Sequence, residues 1–407
     1  MHSGRVRWPV AILVAIVVAE AAVVLLRPRE GVIDPAPVRV ESYFSAGELD
    51  RARDFRGPQL ALHGGVLAIE LGLLALLVAR PPGALRRPWR RPLLVAALAG
   101  VTLSVAVDAA PLPLKAIARE RAKDVGLVTQ SFSGYAGDLA KGWAIGGLLA
   151  GAGAAAGLGL IRRYPRRWWI PGSVLVIAFG AASTYAAPVV LDPLFNDFDR
   201  LPAGQTRSDV LQLARRAGVD VGEVYSVDAS RRTTAANAYV AGLGATKRVV
   251  LYDTLLENFS REEVRLVVAH ELAHVHHRDV PHGLLYLALV TPFGLFAAAR
   301  LTRRLTPGDD DRPGPVALPS LALSIALMAL AITTVSNQLS RDVEARADSY
   351  SLRLTDDPQA FISFERRIAL RNVSRPDPPG WITFLLSTHP STIDRIGIGE
   401  AYRRGER

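Results

Sequence analysis

Long apolar stretches alternate with short polar ones through most of the chain. Seven of them are long enough to cross a hydrocarbon layer of about 30 Å, which takes about 20 helical residues. The fourth is rich in Gly and Ala, which is typical of helices that pack closely in a membrane. The pattern therefore predicts seven membrane-spanning helices, at 8–26, 60–79, 93–110, 143–161, 168–191, 281–299 and 316–336.

Two further stretches, residues 192–280 and 337–407, are long and polar enough to form a water-soluble body. The first has the periodicities and turn signals of a mixed α and β unit. Its predicted elements are a helix at 206–217 with Thr206 as cap and Gly218 as stop, a strand at 223–228, a hairpin pairing 237–240 with 248–252 through GLGAT, and a helix from Ser260, in a capping box with Glu263, to about Asp279.

Composition narrows the possible chemistry. The 407 residues are 50% hydrophobic, contain no cysteine, and carry a formal net charge of +10. Disulfide scaffolds, thiolate nucleophiles, iron–sulfur clusters and Cys-ligated zinc are therefore excluded, and any metal must be held by His and carboxylates. The basic residues form short clusters between apolar runs without a nucleic-acid reader motif, so we expect them to flank a membrane and to bind no nucleic acid.

The helix after Ser260 contains the sequence His-Glu-Leu-Ala-His. Its histidines, His270 and His274, lie one turn apart on the same helical face, so both imidazoles can bind one zinc ion. Glu271 is then placed to act as general base on the attacking water. Five of the eight histidines fall between 270 and 282, inside a soluble stretch. The alternative is a helix with incidental histidines.

Two histidines leave a catalytic zinc site incomplete, and a thermolysin-like pattern completes it with a glutamate. We predict Glu344 for this role. His274 precedes the sixth span by seven residues and Glu344 follows the seventh by about eight, so both project roughly 10 to 12 Å from the membrane. Because spans six and seven form one hairpin, both ligands emerge on the same side.

Asp348 lies four residues after this third ligand, on the same helical face. It could accept the spare N–H of a zinc-bound histidine, or donate a proton to the leaving amine. The alternative is a solvated charge paired with Arg341 or Arg346. His276 and His277 point away from the metal face, so we expect them at the surface or outside the ligand set.

Six blocks of sequence resemble the CAAX prenyl proteases, which are integral-membrane zinc metallopeptidases. In chain order they are LDPLFNDFDRLP, AANAYVAGLG, KRVVLYDTLL, VVAHELAHVHHRD, SRDVEARADSYSL and STHPSTIDRI. The last contains His389, whose imidazole could stabilise the oxyanion of a tetrahedral intermediate. The chain is shorter than eukaryotic members and has only four lysines, so it resembles a bacterial homologue.

The resemblance implies one zinc ion per chain, with three ligands: His270, His274 and Glu344. It also implies a catalytic set beside the metal: Glu271 as general base, Asp348 as proton donor or orienting carboxylate, and His389 as transition-state stabiliser. Two further residues, Asn237 and Arg395, become substrate or intermediate contacts.

The implied fold is mainly α. It is a seven-span helical membrane bundle enclosing a chamber, with an α+β, gluzincin-like zinc metallopeptidase domain at one membrane face. Four ionisable residues inside or at the ends of spans suit such a wet interior, or polar pairs that lock helices together: Glu20, His63, Glu70 and Asp108. We also expect the first span to be a retained anchor, since no small-residue cleavage site follows it.

We divide the chain into four parts on this basis. They are five N-terminal spans with their loops at 1–191, a soluble catalytic insert at 192–280, a transmembrane hairpin at 281–336, and a C-terminal catalytic segment with the third zinc ligand at 337–407.

The predicted function is zinc-dependent hydrolysis of peptide bonds in or beside a membrane. The substrate is a peptide or protein, and lipid-modified and membrane-embedded substrates both fit. Two alternatives remain open: a heat-shock type protease acting on damaged membrane proteins, and a seven-span transporter or receptor whose histidine motif is incidental. The heat-shock type relatives have fewer spans.

The side of the membrane that carries the site has two readings. The short second, fourth and sixth loops are dense in arginine, which by the positive-inside rule places them in the cytoplasm and the zinc site outside. The family resemblance implies a cytoplasmic active site.

Overall fold

The computed structural model describes residues 7–242, 247–308 and 312–406. Its helices are α1 (Trp8–Leu26), α2 (Ala46–Ala79), α3 (Gly83–Arg86), α4 (Pro92–Ala109), α5 (Leu112–Asp124), α6 (Phe132–Arg163), α7 (Trp169–Val190), α8 (Asp192–Phe195), α9 (Gln205–Arg216), α10 (Asp253–Asn258), α11 (Arg261–His276), α12 (Asp279–Leu305), α13 (Leu318–Thr355), α14 (Pro358–Arg371), α15 (Gly380–Leu386) and α16 (Thr392–Arg403). Its strands are β1 (Phe198–Arg200), β2 (Glu223–Val227), β3 (Ala238–Ala241) and β4 (Arg248–Tyr252).

Seven of these helices are long and apolar enough to cross a membrane, and each covers one of the predicted spans to within two residues: α1, α2, α4, α6, α7, α12 and α13. The seven-span prediction is confirmed. Three helices run well past the lipid-facing stretch. In α2 the extension is capped by Ser45 and Glu48, which form a reciprocal capping box. Helix α13 continues without a break for 38 residues, from the membrane into the polar body.

Small residues let α4 and α6 pack closely. A Cβ added to Gly100 would lie 2.7 Å from the carbonyl oxygen of Ala150, and one added to Gly151 would lie 2.9 Å from that of Ala97. Only glycine permits this approach of the two backbones. The Gly and Ala composition of the fourth span therefore has the packing role that the sequence predicts.

The polar body is built on a four-stranded sheet with strand order β1-β2-β4-β3. β2 and β4 pair in parallel, and the two outer pairs are antiparallel. The predicted hairpin is confirmed as β3 and β4, although residues 243–246 of its connection lie outside the described residues. Helices α9 and α11 bury their apolar faces with the sheet in one hydrophobic cluster, which includes Leu213, Val249 and Leu272.

Two local predictions in this body are wrong. The first helix begins at Gln205 after Gly204, and its N-terminus has no side-chain cap, so Thr206 is not the cap. Gly218 does end the helix, with a positive φ of 67°. The second helix does not run on to Asp279. It ends at His276, and Arg278 adopts a left-handed conformation with φ 58° before α12 begins.

The loop between α1 and α2 packs against the C-terminal segment. Ile33 and Ala36 share a buried cluster with Ile398 and Tyr402 of α16. The backbone N–H of Ala36 donates to the carbonyl of Gly397 at 3.0 Å, and a Cβ at that glycine would meet the Ala36 oxygen at 2.6 Å. The polar body is therefore assembled from three separate stretches of chain.

Charged residues of the spans are paired where they face a cavity of about 570 Å³ between the helices. Glu70 and Asp108 both line it, and Lys115 of α5 lies 3.5 Å from the first carboxylate and 2.6 Å from the second. Trp143 donates its indole N–H to Asp108 at 2.6 Å. These contacts match the helix-locking alternative.

The other two ionisable residues of the spans do not line this cavity. Glu20 accepts from the amide of Gln338 at 3.2 Å, and the His63 ring is bonded to the Gln59 carbonyl of its own helix.

Candidate metal centre

The site begins with the orientation of α11. Ser260 and Glu263 form the predicted capping box, which fixes the start of the helix, and one face of the helix is buried against the sheet. His270 and His274 lie one turn apart, and their Nε2 atoms are 3.2 Å apart. Both rings therefore present the same nitrogen to the same point.

Helix α13 brings Glu344 to that point. Its carboxylate oxygens lie 3.1 Å from Nε2 of His270 and 3.7 Å from Nε2 of His274. Among the described residues, these three form a group that can hold a metal ion, because their ligand atoms all lie within 4.8 Å of one another. The helix reaches this position because it is a rigid continuation of the seventh span.

Each histidine is held from behind by a carboxylate. Nδ1 of His270 lies 2.9 Å from Asp348, and Nδ1 of His274 lies 2.9 Å from Asp279. A carboxylate accepts hydrogen bonds, so each Nδ1 carries the proton and donates it. In the neutral imidazole the proton-free Nε2 lone pair then points at Glu344.

This arrangement fits a divalent cation. Three possible ligand atoms converge within 4.8 Å of one another, and Glu344 Oε2 is a buried oxygen without a hydrogen-bond partner among the described residues. Zinc–nitrogen distances of about 2.0 to 2.1 Å in a tetrahedron place ligand atoms about 3.3 Å apart, close to the 3.2 Å between the two imidazole nitrogens. Burial would lower the pKa of His270, yet the two carboxylates beside it outweigh burial and raise it well above its usual value. A metal cation can replace that proton.

Asp348 is completely buried, and both its oxygens are engaged by charged partners. Arg395 donates from Nε at 2.7 Å and from a terminal nitrogen at 2.5 Å, in addition to the contact from His270. The same guanidinium lies 3.1 Å from Glu365, which is also buried. Burial raises the pKa of Glu365 to about 7.

The solvated alternative for Asp348 is therefore wrong. Arg341, one of its expected partners, instead donates to the carbonyls of Thr383 and Ser387. Arg346, the other, donates to Asp279 at 2.5 Å.

Glu271 lines a cavity of about 480 Å³ that also contains His270, His389, Arg395 and Asn237. Burial raises the pKa of Glu271, and it outweighs the opposite effect of the two neighbouring imidazoles. A carboxylate with a raised pKa is a better proton acceptor at neutral pH than an ordinary glutamate.

His389 reaches this cavity from the loop before α16. Its Nε2 lies 3.3 Å from Oε2 of Glu344, and its ring nitrogen Nδ1 lies 2.9 Å from the hydroxyl of Thr388. The side chain is 56% exposed, which leaves it accessible from the cavity. Partial desolvation by the surrounding protein lowers the pKa of His389 despite the negative charge of Glu344, so the imidazole is neutral at pH 7 and can still donate one N–H.

Asn237 precedes β3, which is an edge strand of the sheet, and its side chain is exposed. His276 and His277 lie outside the ligand group, as expected. His276 Nδ1 bonds to the Ala217 carbonyl, and both rings contact Tyr350.

Sequence reasoning missed two carboxylates of the site. Asp279 is five residues after His274 and would lie off the metal face of a continuous helix. The left-handed turn at Arg278 returns it to Nδ1. Glu365 lies on the apolar face of α14 between Phe361 and Ile368, and a charge on such a face is the signal that would have found it.

The sequence of this chain is similar to those of known proteins. Residues 200–398 match the family model described as Peptidase family M48. An uncharacterized metalloprotease YhfN of Bacillus subtilis is 32% identical over 304 residues, which cover 73% of this chain and 71% of the relative. A CAAX prenyl protease 1 homolog of Oryza sativa is 30% identical over 218 residues, covering 52% and 51%. A protease HtpX homolog of Burkholderia thailandensis is 30% identical over 220 residues, covering 49% and 74%.

The fold has a solved counterpart. The crystal structure of S. mikatae Ste24p matches with a TM-score of 0.75 and covers 97% of this chain and 100% of that one. At 18% identity this likeness concerns the fold. It includes the membrane bundle as well as the polar body.

Proposed function

Since this chain belongs to peptidase family M48 and is a multi-pass membrane metalloprotease, we propose that it is a zinc endopeptidase. His270, His274 and Glu344 bind the one zinc ion in this proposal, and Glu271 is the general base. The observation that carries it is the convergence of three ligand atoms within 4.8 Å of one another, each oriented by the fold. When bound, zinc supplies a Lewis acid that polarises the scissile carbonyl and acidifies water.

Glu271 carries out both proton transfers in this proposal. Glu271 takes a proton from the attacking water, aided by the raised pKa of its carboxylate. The same group returns the proton to the departing amine. Asp348 is a poor donor for that step, because both its oxygens accept from His270 and Arg395. We assign Asp348 and Arg395 to orienting His270, and Arg395 acts through this contact.

His389 supplies the hydrogen bond to the developing oxyanion. Its Nε2 faces the ligand group at 3.3 Å, and its exposed side chain lets a substrate carbonyl approach. A neutral imidazole that donates one N–H is sufficient for this role. The reaction adds water across one peptide bond and needs no redox partner.

The substrate is a peptide held in extended conformation. β3 is an edge strand next to Asn237, so an incoming segment can add to the sheet as a fifth strand and place its carbonyl over Glu271. The CAAX prenyl protease relatives are named for a lipid-modified substrate. We propose that the substrate here is likewise attached to or embedded in the membrane that the seven spans cross.

The test uses Glu271→Gln in the full-length protein. Removing a general base lowers the rate by about 10² to 10⁴, while bound zinc stays near one per chain because the ligands are intact. Activity is measured on a quenched peptide and zinc by elemental analysis. The matched control is Glu262→Gln, an exposed carboxylate on the same helix. Full activity in Glu271→Gln would reject the assigned base, and loss of zinc in it would show that Glu271 supports the metal.

Substrate choice separates the proposal from a heat-shock type protease. A prenylated peptide with a three-residue tail and an unfolded membrane protein are offered to the same enzyme. Trapping with Glu271→Gln in native membranes, followed by mass spectrometry, identifies what binds. Recovery of lipid-modified tails supports the proposed substrate class, and recovery of misfolded membrane proteins contradicts it.

A further inference from the structure

A second cavity, of about 800 Å³, is lined by Asp279, the partner of His274, and shares no lining residue with the one that contains Glu271. It is formed where three spans leave their apolar stretches. Helix α1 ends at Leu26, α12 begins at Asp279, and α13 turns polar from Ser336 onward. The cavity therefore lies at the depth where a bilayer presents its headgroups, on the side of the candidate metal centre.

The rim of this cavity carries two exposed arginine side chains. Arg27 and Arg29 are exposed, and their side chains form no hydrogen bond or ion pair within the described part of the chain. Glu30 lies in the same wall, and the Asp342 carboxylate is close enough to Arg27 to feel its charge. The two arginines stand directly after a membrane span, where anionic headgroups are the nearest counter-charges.

The cavity wall also holds two donors without acceptors. The Tyr286 hydroxyl is buried, with the residue only 9% exposed, and it has no hydrogen-bond partner among the described residues. Arg346 donates to Asp279 through a terminal nitrogen, while its buried Nε has no partner. Glu20, which lies near Tyr286, is bonded to Gln338 instead. Buried donors without partners are costly, and a bound ligand with oxygen acceptors would satisfy them.

We propose that this cavity binds an anionic glycerophospholipid. Arg27, Arg29 and the Nε of Arg346 receive its phosphate. Tyr286, seven residues into α12 and so roughly 10 Å deeper, donates to a glycerol ester carbonyl. The acyl chains leave the cavity past Leu26 and follow the apolar stretch of α1 into the membrane core.

A lipid is favoured over a free anion because the cavity lies where the apolar stretches of three spans end, with the arginines at its rim and Tyr286 deeper. A free phosphate would use the arginines and leave both Tyr286 and the apolar wall without a partner. A glycerophospholipid matches the order of groups from the interface inward: phosphate, ester, hydrocarbon. Because Arg346 also holds Asp279, the bound headgroup is two contacts from His274.

The experiment measures lipid retention directly, so it does not depend on the proposed peptidase activity. Full-length protein in phosphatidylcholine nanodiscs is titrated with phosphatidylglycerol, and retained lipid is counted by native mass spectrometry. We expect selective retention of phosphatidylglycerol by the wild type. The double variant Arg27→Gln/Arg29→Gln should bind it about 30-fold more weakly, since each arginine near a bilayer contributes about fivefold.

Two further variants make the result specific. Arg86→Gln/Arg87→Gln removes two exposed arginines that also follow a span but lie outside the cavity, and it should retain the lipid as wild type does. Tyr286→Phe should weaken retention by about tenfold while the fold is unaffected, because only an unpaired hydroxyl is lost.

Three outcomes would overturn the proposal. They are equal retention of the two lipids by the wild type, unchanged retention in the Arg27 and Arg29 double variant, and displacement of the lipid by 10 mM inorganic phosphate. The last would identify a free-anion site in place of a lipid site.

Discussion

Each histidine of the candidate metal centre is held by a carboxylate, but the two carboxylates lie in different surroundings. Each donates Nδ1–H to a carboxylate at 2.9 Å, and each carboxylate is held by one arginine. Behind His270, Asp348 is completely buried and its arginine is shared with the buried Glu365. Behind His274, Asp279 is 10% exposed and lies in the wall of a cavity at the membrane interface.

The same hydrogen bond from a histidine to a carboxylate can therefore contribute differently to the stability of the protein and to metal binding. A buried charge pair is strongly destabilising to break, because the remaining charge is left without solvent. A pair at the edge of a cavity can be rehydrated when one partner is lost. The buried support therefore contributes to folding as well as to the metal, whereas the interfacial support acts mainly on the metal and can respond to what binds beside it.

The largest expected effect comes from Asp348→Asn. It leaves Arg395 with Glu365 alone and should lower the free energy of unfolding by about 3 to 5 kcal/mol. Zinc affinity should fall about 10- to 100-fold as His270 loses its charged acceptor. Thermal unfolding in detergent and zinc competition measure the two effects. Asp342→Asn, on the same helix without a metal contact, is the control, and equal losses in both variants would reject the assignment.

Asp279→Asn tests the other support. We expect the same 10- to 100-fold loss of zinc affinity, because the contact to His274 has the same length. The loss of stability should be about 1 to 2 kcal/mol, since Arg346 reaches solvent through the cavity. A loss of stability as large as that of Asp348→Asn would show that the two supports do not differ in kind.

Glu365→Gln sharpens the comparison through pH. Burial raises the pKa of Glu365 from 4.5 to about 7, so the folded protein binds the proton more tightly than the unfolded chain does. This contribution to stability is present below pH 4.5 and is lost as pH rises to about 7, at no more than about 1.4 kcal/mol per pH unit.

The glutamine variant lacks this titration, so its stability relative to wild type should rise between pH 5 and 7 and stay constant above. Unfolding temperatures at pH 5, 6, 7 and 8 measure it, with Glu262→Gln as an exposed control. A difference that does not change with pH would contradict the buried proton.

The smallest effect is expected from Arg278→Gly. Arg278 holds the left-handed turn that returns Asp279 to His274, at a φ that costs about 1 kcal/mol for a residue with a Cβ. Glycine removes this strain and adds unfolded-state freedom, so stability should change by less than about 1 kcal/mol and zinc affinity should not change. Arg278→Val should lose about 1 to 2 kcal/mol. Weaker zinc binding in the glycine variant would mean that the arginine side chain itself supports the site.

Much of this fold follows from local patterns. The seven spans lie where apolar length puts them, and Ser260 with Glu263 starts α11 where the capping box predicts. Both signals depend on neighbouring residues alone. The prediction that Thr206 caps α9 is wrong because the helix begins one residue earlier, at Gln205, without a side-chain cap.

Local patterns also predict part of the candidate site. His270, His274 and Glu344 could be predicted because helical spacing and two matched distances from the membrane place them together. The contact between Glu365 and Arg395 could not, because it joins two helices that meet only after the C-terminal segment folds against α11 and α13. The roles of Glu271, His389 and Asn237 remain predictions.

The sequence by itself determined the membrane bundle, the absence of thiol chemistry and the metal-binding face of one helix. These depend on composition and on the 3.6-residue period, which are properties of the chain before it folds. Only the tertiary structure decided which carboxylate stands behind each histidine and whether water can reach it. Burial and pairing arise when distant segments meet, so the difference between Asp348 and Asp279 exists only in the folded protein.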